Sequence, residues 1–146
     1  LVDVGKLVLS RHFEGKVALM VSLGIEAGMT YCEVERRAMG VDHADVGAAM
    51  ADSWHLPADL VAAIQYHHDP NSAPEEFQAL ADFVHIADYL TMVCGFGIGG
   101  DGLFYTVQQE AFQRRGLSTD DLDGLIDEFV IAYEHQESLL TEIATS

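Results

Sequence analysis

An all-α fold is what this sequence predicts, and three observations predict it. Apolar residues recur at helical spacing, as in Leu1, Val4, Leu7 and Val8. Helix-boundary chemistry stands at Thr30-Tyr31-Cys32-Glu33, a capping box with Thr at the N-cap and Glu at N3, and at Gly40, a natural residue for the left-handed turn after a helix. Strand-like alternation persists nowhere for more than a few residues. The expectation is a bundle of about seven helices, with residues 1–146 forming a single domain without an internal repeat.

The elements follow in order. The Leu1–Val8 stripe opens a helix, with Asp3 and Lys6 on an adjoining face, and Glu14-Gly15 breaks it. A second apolar stretch runs from about Lys16 to Glu26 and ends in Ala27-Gly28. The capped helix from Thr30 ends at Gly40. Asp42 is the N-cap for a helix from His43 to about Trp54. Leu56-Pro57 reads as a linker plus the first helical position, because proline has no N–H to lose there. Pro57–Tyr66 then carries Leu60, Val61 and Ile64 on one stripe. Asp69-Pro70-Asn71-Ser72 is a loop, and a long helix spans about Pro74 to Cys94. Gly95–Gly102 holds five glycines in eight residues and is a loop. It lacks the preceding strand and the Gly-Lys-Ser/Thr of a phosphate-binding loop. A short helix covers about Val107–Arg114. Ser118 caps the last one, through about Leu140, with Leu122, Leu125, Ile126, Phe129 and Tyr133 as its buried face.

Composition bounds the function. A chain of 146 residues that is 49% apolar can bury a real core. No apolar run reaches the roughly 18 residues a membrane span needs, and no secretory signal is present. Cys32 and Cys94 are far apart in sequence and form no CxxC, which fits a reducing, cytoplasmic setting and two thiols acting as small buried apolar groups. Seven basic residues face 24 acidic ones, for a net charge of −17. Phosphate backbones and anionic membranes would be repelled, so neither nucleic acid nor membrane is an expected partner, whereas a basic or divalent-cation partner is. Leu1 already lies inside an apolar pattern, which reads as a segment of a longer chain.

The chemistry-bearing residues are Asp3, His43, the doublet His67-His68, and Asp88. Imidazoles and carboxylates together suit iron, manganese or zinc. His43 stands at a helix N-terminus, where the dipole disfavours its protonation and keeps it in the metal-binding form. Gly47 and Ala48, one turn on, permit close helix approach. His67 and His68 end a helix and point about 100° apart. Asp88 sits among Phe83, Val84, Ile86 and Ala87, where a carboxylate needs a partner. His85, one turn earlier, is a core histidine or a support for a ligand.

Four segments carry a resemblance. They are Val41-Asp42-His43-Ala44-Asp45-Val46-Gly47-Ala48, Trp54-His55-Leu56-Pro57, Ala63-Ile64-Gln65-Tyr66-His67-His68-Asp69-Pro70 and Phe83-Val84-His85-Ile86-Ala87-Asp88. Together they resemble the HDOD family, and Leu1-Val2-Asp3-Val4-Gly5-Lys6-Leu7 resembles that family's Leu-His-Asp-Ile-Gly-Lys-Leu segment. The resemblance covers roughly residues 1 to 105. It implies an HD-domain-like helical bundle, related to metal-dependent phosphohydrolases and HD-GYP phosphodiesterases. On it, Asp3 matches the aspartate of a His-Asp doublet. His43, His67, His68 and Asp88 match later metal ligands, and Lys6 matches a lysine beside the phosphate.

Two departures weigh against hydrolysis. Val2 replaces the doublet's histidine, and Asn71-Ser72-Ala73-Pro74 stands where a Gly-Tyr-Pro segment would be. The resemblance therefore implies a non-enzymatic module of bacterial signal transduction, with Asp3, His43, His67, His68 and Asp88 as an inherited metal set. Its partner would be a signalling protein or a small effector. A metal-dependent phosphohydrolase acting on a nucleotide or cyclic dinucleotide is the alternative. It further implies that the chain is the C-terminal, HD-like half of a longer HDOD domain, whose uncovered apolar face would favour a homodimer.

Overall fold

The computed structural model describes residues 1–12, 22, 24–95, 105 and 107–144. Among these residues the fold is all-α and contains no strand. The helices are α1 (Val4–His12), α2 (Tyr31–Met39), α3 (His43–Ser53), α4 (Ala58–Tyr66), α5 (Gln78–Val93), α6 (Gln109–Arg114) and α7 (Leu122–Ala144), with short 3-10 turns at Pro70–Ser72, Glu75–Phe77 and Thr119–Asp121. Most of the helix expected over 16–26 and most of the loop expected over 95–102 lie outside the described residues; residues 22 and 24–27 are helical.

The caps form as their chemistry dictates. Thr30 Oγ1 accepts from the Glu33 N–H, and the Glu33 carboxylate accepts from the Thr30 N–H. Gly40 takes the left-handed conformation, φ 81°, and its N–H closes onto the Arg36 carbonyl. Asp42 caps α3 reciprocally with Asp45. That chain of caps fixes the turn from α2 into α3 and so sets where His43 stands.

Small residues govern the packing beside the site. α1 crosses α3 where Gly5 meets Gly47. A Cβ on Gly5 would lie 2.0 Å from the His43 carbonyl oxygen, and one on Gly47 would lie 2.9 Å from Ile64 Cγ2. No side chain fits between these backbones, so the start of α1 is drawn onto the start of α3. On the other side α3 packs on α4 through Ala48, Ala51 and Ile64, with Leu56 and Val61 at the edge. A second cluster joins Ile86 and Leu90 of α5 to Phe112 of α6, and is covered by Leu122, Leu125, Ile126 and Phe129 of α7. Between α5 and α6 the fully buried Asp82 accepts from Arg114 at 2.6 Å and lies 3.1 Å from Arg115.

Several boundaries differ from the sequence reading. Pro57 is the N-cap of α4 rather than its first residue, because its ψ of 145° is extended. Asp69–Ser72 is partly ordered into a 3-10 turn. Pro74 likewise starts a 3-10 turn, which delays α5 to Gln78. α6 starts at Gln109, two residues late, since Gln108 is extended at ψ 99°. A 3-10 turn over Thr119–Asp121 delays α7 to Leu122, and α7 runs past Leu140 because neither glycine nor proline occurs after Gly124. Tyr133 on that helix is exposed and stacks against the Phe129 ring. No helix among the described residues is long and apolar enough to cross a membrane.

Candidate metal centre

Three elements converge on one point. Asp3 lies in the turn before α1, His43 is the first residue of α3, His67 follows the end of α4, and His68 comes next in the chain. One potential ligand atom from each of Asp3, His43, His67 and His68 lies within 4.8 Å of all the others. His43 and His67 are fully buried, while the Asp3 side chain is half exposed.

The ring tautomers can be read from their partners. His43 Nδ1 lies 2.6 Å from the Glu35 carboxylate, so in the neutral ring Nδ1–H donates there and Nε2 carries the lone pair. His67 Nδ1–H donates to the Ile64 carbonyl at 2.6 Å, which again leaves a lone pair on Nε2. That His67 Nε2 is buried and has no hydrogen-bond partner among the described residues. It faces Asp3 Oδ1 at 3.8 Å, too long for a hydrogen bond. His43 Nε2 lies 3.3 Å from the same oxygen and 2.9 Å from His68 Nε2. A buried lone pair aimed at a carboxylate is unfavourable unless a positive centre stands between them.

The spacings fit such a centre. Two atoms each about 2.1 Å from one ion are about 3.0 Å apart at a right angle and about 3.4 Å apart at the tetrahedral angle. Separations of 2.9 and 3.3 Å match, and 3.8 Å is a few tenths longer. Three imidazole nitrogens and one carboxylate form a donor set suited to iron, manganese or zinc.

The electrostatics agree. Burial pushes the Asp3 carboxyl up, but His43, His67 and Lys6 together hold it well below the usual carboxylate range. Lys6 Nζ is 2.9 Å from Asp3 Oδ1 and lies over the Tyr31 ring. Burial, together with the neighbouring His67, His43 and Lys6, pushes His68 down to about 2, so its imidazole stays neutral. His43 departs from the sequence reading. Burial lowers its affinity for a proton, but its bonds to Asp3 and Glu35 outweigh burial and the helix terminus, and the net shift is upward.

Asp88 is not in the 4.8 Å group. It stands beside it. Burial pushes its carboxyl up, with Asp3 acting the same way, while His67 and a hydrogen bond from Tyr105 oppose this. His85 is a support rather than a ligand: its Nδ1 bonds the His67 carbonyl at 2.7 Å, and the Gln108 N–H donates to its Nε2.

Three participants escaped the sequence reading. Glu35 stands in a run of charged residues with Glu33, Arg36 and Arg37, yet it is 2% exposed. Tyr105 reaches back to place its hydroxyl 2.8 Å from His85 Nδ1 and its ring 5.3 Å from that of His68. Cys32, read as a small apolar group, forms a second group within 4.8 Å with Glu35 and His43. A cleft of about 340 Å³ adjoins the centre, with His68 and Tyr105 in its wall beside Tyr31, Cys32, Arg36 and Gln65.

Comparison with known proteins gives two matches. The family model described as HDOD domain matches residues 1–70. A protein of Treponema pallidum (strain Nichols), described as uncharacterized, is 27% identical over 86 residues. The match covers 59% of this chain and only 17% of that relative. No solved structure matches the chain.

Proposed function

We propose, from the premise that residues 1–70 are an HDOD domain segment, that this chain is a regulatory module built around a divalent-metal centre. The observation that carries the reading is the buried, unpartnered His67 Nε2 facing Asp3. Asp3, His43, His67 and His68 would hold iron, manganese or zinc. Such an ion, when bound, supplies a concentrated positive charge and Lewis acidity at the cleft wall. The chain's own residues do the rest. Glu35, the Ile64 carbonyl and the helix ends hold the rings in place, and His85 ties the His67 backbone to α5. The cleft of about 340 Å³ has the size of a small-ligand site. Its Tyr31, Gln65, Tyr105 and Gln108 offer hydrogen bonds to a small effector or to a partner's side chains.

A regulatory role is favoured over phosphoester hydrolysis on two grounds. Val2 supplies no ligand where the doublet's histidine would stand. Among the described residues Arg36 is the one Lys or Arg in the cleft wall, and it is paired to Asp42 at 2.8 Å, while Glu33, Asp42 and Asp69 line the same wall and repel phosphates. The alternative, a phosphohydrolase, draws support from Lys6 standing 2.9 Å from Asp3, as a phosphate-contacting lysine would.

The test sets binding against turnover. Manganese or zinc should bind the purified chain and raise its melting temperature, and a panel of nucleotide and cyclic-dinucleotide phosphoesters with manganese should show no turnover. Turnover abolished by Asp3→Ala would overturn the regulatory reading in favour of hydrolysis.

A further inference from the structure

Helix α2 fully buries one of its nine residues, and that residue is Glu35. A carboxylate at 2% exposure is strongly unfavourable unless partners meet its charge. Two donors come from one residue: Glu35 Oε2 accepts from the His43 backbone N–H at 2.9 Å and from the His43 ring Nδ1–H at 2.6 Å. The neighbouring rings are held differently. His67 Nδ1–H donates to the neutral Ile64 carbonyl, and His85 Nδ1–H to the neutral His67 carbonyl. Of these three imidazoles, His43 alone is backed by an anion.

The geometry points to Glu35 as a positioning residue of the metal centre: it fixes His43 as the Nδ1–H tautomer, aims its Nε2 at the point shared with Asp3, His67 and His68, and makes it a stronger donor than His67, whose Nδ1–H meets only a neutral carbonyl. The inference rests on the reading of that cluster as a metal centre. The physical reason is that a carboxylate accepting an imidazole proton draws that proton toward itself, which raises the electron density on the opposite nitrogen. The same oxygen also grips the first backbone N–H of α3, so ring orientation and helix position are set by one atom. Cys32 supplies a competing arrangement, because its sulfur lies within 4.8 Å of Glu35 and His43 and could hold a soft ion with them.

The experiment uses the chain as it stands, with zinc and manganese affinities measured by competition against a chelator. Glu35→Gln keeps the size and an acceptor oxygen but removes the charge. It should bind metal about 10- to 100-fold more weakly while its melting in the absence of metal is retained. Ring 15N chemical shifts of the metal-free protein should show His43 as the Nδ1–H tautomer in the wild type and a tautomer mixture in Glu35→Ala. Wild-type affinity that Glu35→Gln leaves within twofold would overturn the assignment. Loss of binding in Cys32→Ala would overturn it too, in favour of the Cys32–Glu35–His43 arrangement. If the wild type takes up neither ion, the metal-centre reading fails by itself, and the ring shifts then decide Glu35: one tautomer lost in Glu35→Ala sustains its orienting role, and identical shifts in both proteins overturn it.

Discussion

At the scale of single residues, two positions make separable predictions. Burial first, and then the charges of Asp42 and Glu35, push the Cys32 thiol up, so it keeps its proton in the folded state. In the unfolded chain a thiol ionises near pH 8.5. The folded state therefore holds more protons above that pH, and stability is present below it and falls as pH rises, by at most about 1.4 kcal/mol per unit. Urea unfolding at pH 8 and pH 10 should show that slope, and Cys32→Ala should flatten it; an unchanged slope would mean the thiol is solvated. The second position is Gly5. An added methyl would collide with the His43 carbonyl and the Gly47 N–H, so Gly5→Ala should cost about 2–3 kcal/mol and push Asp3 away from His43. Gly40 is the control. It has open space but φ 81°, so Gly40→Ala should cost only about 1 kcal/mol and leave the centre intact. Asp3, His43 and the His67-His68 pair were legible in the sequence because order and residue type mark them. Glu35 was not, because an acid in a run of charged residues reads as solvent-facing until tertiary packing buries it.

At the scale of elements, the caps were the most legible feature. Thr30–Glu33, Gly40 and Asp42 act through bonds within a few residues, so local sequence determines them. The boundaries that moved are those where proline or an extended residue delays a helix, as at Pro57, Pro74 and Gln108. The helix called over 16–26 falls mostly outside the described residues. Long-range pairings left no local trace. Asp82 reads as one more polar residue of α5, yet it is fully buried and anchors α6 through Arg114 and Arg115, residues 32 and 33 positions away. Removing both arginines would leave that buried charge with only the 3.3 Å bond from Gln78, so the double substitution Arg114→Ala/Arg115→Ala should cost about 3–5 kcal/mol in chemical unfolding. A loss under 1 kcal/mol would show that water replaces the pair. The double variant should also loosen Phe112 from Ile86 and Leu90, visible as faster amide exchange in α6 and α7 than in α3 and α4.

At the scale of the whole molecule, the centre ties the two ends of the described core together. Asp3 arrives with α1, His43 with α3, and His67 and His68 from the end of α4, while His85 of α5 holds the His67 carbonyl. An ion bound only by the folded state therefore stabilises all of these contacts at once. At a hundred times its dissociation constant it contributes about 2.7 kcal/mol. For a chain of 146 residues this is a rise in melting temperature of about 6–12 °C, reversed by chelator. The measurement that tests this most directly is elemental analysis of the chain purified without chelator or nickel, beside Asp3→Ala and His67→Ala. Close to one iron, manganese or zinc per wild-type chain is expected, with far less in both variants. A metal-free wild type that takes up none of the three on titration would contradict it.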